Sequence, residues 1–160
     1  MSLVTLAQAK LHLRVDGTDE DSLIQIYIDA AEQDVANTLQ RNIYADNTAL
    51  SAAIAAAPTA LANATTAYEA AITAADLIED ADQQDVATIK AREDYFHAIE
   101  EAKRTNRGLV INDTIKSAIL LLIGHLYGNR EEVVVGLNMA AMPQHIIVGV
   151  QYLLNPFKAY

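Results

Sequence analysis

The sequence predicts an all-α fold: a small helical bundle that carries an inserted, Ala-rich antiparallel helical hairpin. Apolar residues recur at three- and four-residue intervals along most of the chain, and helix-start and helix-stop patterns separate these runs. The 160 residues, 52% of them hydrophobic, supply enough apolar material for one packed domain but not for two of full size. We therefore expect residues 1–44 and 107–160 to form the core and residues 45–106 to form the hairpin.

Two helices are predicted before the hairpin. Thr5 and Gln8 are spaced as a capping box, which predicts a first helix over about residues 5–13. Gly17 interrupts the pattern, and the carboxylates that follow suit the positive end of a helix dipole. The second helix is then predicted over about residues 19–40. Its apolar positions recur at helical spacing: Leu23, Ile24, Tyr27, Ile28, Ala31, Val35 and Leu39.

The middle of the chain, residues 45–106, is rich in alanine and carries larger apolar residues at helical spacing. Pro58 predicts a break that leaves a short helix over about residues 47–57. The acidic segment 79–82 then separates two long helices of the hairpin. Alanine buries little area, so the hairpin must pack closely with itself or with a neighbouring subunit. A disordered linker is the alternative, but it leaves the periodicity unexplained.

The last part of the chain carries the most hydrophobic pattern. An extended segment at 109–111 leads to Asn112, which suits the N-cap of a central helix over about residues 114–127. Residues 133–136 form a short β-prone piece within an irregular loop. A final helix is predicted to begin at Pro143 and to end before Pro156.

The sequence lacks the patterns that catalysis or metal binding requires. It has no cysteine, which excludes disulfides and thiolate ligands. The carboxylates at 16–21 do not follow the spacing of a calcium loop, and helix capping explains them better. The four histidines form no zinc motif, and neither a phosphate loop nor a serine elbow is present. We expect no catalytic residue, cofactor or metal; a carboxylate-and-metal hydrolase remains the disfavoured alternative.

The net charge of −10 argues against a protein that wraps nucleic acid, which requires clustered Lys and Arg. The acidity either keeps the protein soluble or repels DNA inside a channel. The N-terminal residues do not follow the pattern of a signal peptide. The longest apolar stretch, residues 118–126, is far shorter than the roughly 20 residues that cross a bilayer. We expect a soluble protein that does not associate with membranes.

Two segments together resemble the head-tail connector family of tailed bacteriophages, whose members are often labelled as possible DNA-packaging proteins. The first runs from Leu3 to Ile24, and the second contains LLIGHLYGNRE at 121–131 and continues through Met142 to Phe157. The resemblance does not extend to the Ala-rich middle. It implies a structural protein of a phage or prophage, made in the bacterial cytoplasm and present in the virion at the head-tail junction.

The resemblance also implies partners. Copies of the chain join into a ring, commonly twelvefold, which docks beneath the portal protein and contacts a downstream head-completion or tail-completion protein. DNA passes through the ring without sequence-specific binding. The candidate interface residues are Val133, Val134 and Val135 in the loop and Phe157, Lys158 and Tyr160 in the tail. The alternative is a non-enzymatic scaffolding module that binds a partner through the hairpin.

Overall fold

The computed structural model describes residues 2–129 and 144–159. These residues form six α-helices, two short strands and a 3-10 turn, so the predicted all-α class is confirmed. The elements are α1 Leu6–Leu13, α2 Asp21–Leu39, β1 Ile43–Tyr44, α3 Asn47–Ala75, α4 Ala81–Asn106, β2 Leu109–Val110, α5 Asp113–Gly128 and α6 Gln144–Leu154, followed by the turn Asn155–Phe157. The chain divides into two compact units, Met1–Ala45 with Leu109–Tyr160, and Asp46–Gly108.

The first unit is a helical bundle whose centre is α5. This helix contacts α1, α2 and α6, as its apolar sequence predicts. The side chains that form the core are aliphatic and almost fully buried: Val4, Ala9, Ile24, Ile28, Ala31, Val35, Leu39, Ile115, Ala118, Ile119, Ile123, Val150 and Leu154. Burial of these side chains is the main source of stability in the bundle.

The N-terminal segment is fixed by hydrogen bonds at the start of α1 and just before it. The predicted capping box is present, with Gln8 and Thr5 each accepting a hydrogen bond from the other's backbone N–H, at 3.1 and 3.2 Å. Upstream, the carboxylate of Glu32 accepts hydrogen bonds from the backbone N–H groups of Leu3 and Val4 at 2.7 and 2.9 Å. A single side chain of α2 therefore sets where the chain enters the bundle.

The two strands hold the start and the end of the hairpin beside each other. They pair in parallel, with Ile43 opposite Leu109 and Tyr44 opposite Val110. The backbone N–H of Ile111 donates to the carbonyl of Tyr44 at 2.8 Å. The sequence predicts an extended segment at 109–111 but not its partner at 43–44.

The second unit is the predicted antiparallel hairpin of α3 and α4. Each helix contributes one face to a shared seam, in which small residues alternate with a few larger ones at spacings of three and four. Every seam residue is buried or half-buried: Leu50, Ala53, Ala57, Leu61, Ala64, Tyr68, Ala71 and Ala75 on α3, and Gln84, Thr88, Ala91, Tyr95, Ala98, Ala102 and Thr105 on α4. The rings of Tyr68 and Tyr95 stack across the seam with their centroids 5.1 Å apart. The middle of the chain is therefore helical, and the alternative of a disordered linker is wrong.

The predicted break at Pro58 is wrong. Residues 47–75 form one continuous helix that contains Pro58 in its interior. Pro58 is exposed; it lacks the N–H that would donate to the carbonyl of Ile54, and its ring crowds that carbonyl. The neighbouring residues 55–57 are all alanine, so little bulk surrounds the ring. Packing of α3 on α4 offsets the proline penalty of about 3 kcal/mol.

Candidate functional site

The C-terminal tail, a candidate interface in the sequence, lies against its own bundle. Phe157 is half-buried and packs on the core, and Lys158 is also half-buried. The backbone N–H of Ala159 donates to the carbonyl of Leu39 at 3.2 Å. Because Leu39 is the last residue of α2, the tail satisfies one of the carbonyls that a helix end leaves without an intrahelical donor. The tail is therefore a fixed surface rather than a free extension.

The remaining candidate residues lie outside the described part of the chain. These are Val133, Val134 and Val135, for which the sequence predicts a loop, and Tyr160. The predicted start of the last helix at Pro143 lies outside it as well. The proposed interface roles of all six candidates stay predictions.

The structure exposes an aromatic residue that sequence reasoning missed. In α6, Val150 and Leu154 point into the core, whereas Val148 and Tyr152 lie on another face and are 59% and 79% exposed. Large aromatic side chains that protrude from a rigid helix often act as anchors in protein interfaces. The sequence did contain a signal for this exposure. Val148 and Tyr152 are four residues apart, so they share a helix face, and that face differs from the one that carries Val150 and Leu154.

The hairpin carries a second exposed apolar surface. Val86, Ile89 and Phe96 lie along one side of α4 and are 67%, 54% and 58% exposed. They do not belong to the seam, which Ala91 and Tyr95 help to form on the other face of α4. We call the three exposed residues the α4 stripe. Alanine is small enough to hide the true seam from a search for large apolar residues.

The two segments that carry the family resemblance meet within the bundle. The hydroxyl of Tyr127 donates to the carboxylate of Glu20, and the ring of Tyr127 packs edge-on against Tyr27. Gly124 lies beneath His12, where an added Cβ would come within 3.3 Å of the imidazole Nε2. The absence of a side chain at Gly124 thus permits the close approach of α1 and α5. These contacts are structural and hold helices together.

The described residues contain few groups arranged for chemistry. Among them, no three His, Cys, Asp or Glu side chains converge on a possible metal site. The ammonium of Lys103 donates to the carboxylate of Glu100 at 2.7 Å and holds the pKa of Glu100 below its ordinary value. Both partners are exposed, so this pair belongs to the solvated surface. No helix in the described ranges has the length and apolar character needed to cross a membrane.

A comparison of the sequence with models of known protein families identifies the family of this chain. The model of the phage gp6-like head-tail connector proteins matches residues 3–158. This chain belongs to that family. Comparisons with curated proteins and with solved structures found no match. The matched range spans the hairpin as well as the two segments that carry the resemblance.

Membership assigns the connector a structural role. It is a component of the virion at the head-tail junction, and its family oligomerises and contacts other head and tail proteins. The family is not known for enzymatic activity. The candidate surfaces for contact with other chains are the fixed tail, the outer face of α6 and the α4 stripe.

Proposed function

We propose that the connector assembles into a ring beneath the portal and that this ring extends the DNA channel toward the tail. The family match across residues 3–158 carries this proposal. A ring needs no large interface, because one modest contact that repeats around a closed ring stabilises the whole assembly. The downstream partner is a head-completion or tail-completion protein.

The charge of the chain supports a channel that DNA crosses without being held. DNA binding depends on Lys and Arg side chains that neutralise phosphates and release their counterions. A chain with a net charge of −10 has no excess of such side chains. Carboxylates near the path repel the phosphates, so the duplex slides instead of adhering. The proposed channel therefore makes no sequence-specific contacts with the DNA.

Docking on the portal is assigned to the tail and to the neighbouring outer face of α6. Phe157 and Lys158 are fixed in place by the Ala159 to Leu39 hydrogen bond, so little conformational entropy is lost when they bind. Tyr152 supplies the exposed aromatic anchor. Tyr160 extends the same tail, and Val133, Val134 and Val135 are assigned to the contact between subunits or to the channel wall.

The test is the mass of the purified connector by light scattering across a concentration series, with and without the portal ring from the same genome. Rings, or one connector bound per portal subunit, are expected. Tyr152→Ala should weaken portal binding at least about tenfold, as the loss of an aromatic anchor typically does. Gln151→Ala, at the exposed neighbouring position, should leave binding unchanged. A monomer at every concentration that also ignores the portal would overturn the proposal.

The second candidate function is a scaffolding module that binds a partner helix through the hairpin. The exposed α4 stripe favours it, since apolar residues on the outside of a two-helix hairpin have no use within the hairpin. This function predicts a partner protein other than the portal or a second connector. It becomes the better explanation if the connector remains monomeric beside the portal.

A further inference from the structure

We draw no further inference here: the strongest candidate, the α4 stripe of exposed apolar side chains on the surface of the hairpin, carries none because exposed carboxylates lie among its residues and nothing in the structure shows what covers it.

Discussion

The hydroxyl of Tyr127, near the end of α5, donates a hydrogen bond to the carboxylate of Glu20, which precedes α2 by one residue. The two residues are 107 positions apart in the sequence, and each belongs to one of the segments that carry the family resemblance. Tyr127 also packs edge-on against Tyr27, with the ring centroids 6.5 Å apart. One side chain thus joins the start of α2 to the end of α5 by both a polar and an apolar contact.

Removal of that hydroxyl should destabilise the bundle while its packing is kept. In Tyr127→Phe the ring contact with Tyr27 remains, but a half-buried hydrogen bond to a charged group is lost. We expect a decrease of about 1–2 kcal/mol in the free energy of unfolding, measured with urea. Tyr152→Phe is the matched control, because the Tyr152 side chain is largely exposed. Equal unfolding midpoints for the two variants would show that the Glu20 contact contributes nothing.

Glu32 should control the order of the N-terminal segment. Its carboxylate accepts from the Ser2 hydroxyl as well as from the N–H groups of Leu3 and Val4. Glu32→Ala leaves these donors without their acceptor and should cost about 2 kcal/mol. Hydrogen exchange at Val4 should accelerate more than exchange at Ile28. Asp34→Ala, an exposed change on the same helix, should alter neither, and an unchanged Val4 exchange rate in Glu32→Ala would contradict the assignment.

Replacement of Pro58 should strengthen the hairpin. Pro58→Ala restores an N–H that can donate to the carbonyl of Ile54 within a continuous, exposed stretch of helix. The expected gain is up to about 3 kcal/mol in the unfolding free energy of the hairpin, observed by hydrogen exchange along α3. Thr59→Ala changes only helix propensity at the next exposed position and should gain a few tenths of that. If Pro58→Ala loses stability, the proline makes a contact that its exposure does not reveal.

The seam of the hairpin should reject larger side chains. Ala91 is 7% exposed, and its methyl group occupies a position where α3 and α4 lie close together. Ala91→Leu should cost about 1–3 kcal/mol through overpacking, measured as faster hydrogen exchange in both helices. Ala67→Leu, at an exposed position of α3, is the control and should have little effect. A stable Ala91→Leu hairpin would mean that the helices have room to separate.

Local signals in the sequence predicted the local parts of the fold. The capping box at Thr5 and Gln8 and the N-cap at Asn112 depend on residues three positions apart, and both are present. The apolar spacing of α2 and α5 likewise places their buried faces correctly. Such patterns need no knowledge of the rest of the chain, which explains why they succeed.

Features that depend on distant partners were not predictable in the same way. The pairing of β1 with β2 joins residues on either side of the hairpin, and the two-residue strands carry no pattern of their own. The helix continues through Pro58 because α4 supports it along its length. The α4 stripe and the anchor Tyr152 were visible as residues, but their exposure follows only from knowing which faces of α4 and α6 are buried.

The parallel pairing of β1 with β2 holds together the two ends of the chain segment that lies between these strands. Because Tyr44 lies opposite Val110, and paired strands are about 4.8 Å apart, the chain returns close to the place it left. The entropy of closing such a loop rises only slowly with its length. A change in the length of this segment should therefore cost little chain entropy, provided that Ile43 stays opposite Leu109 and Tyr44 opposite Val110.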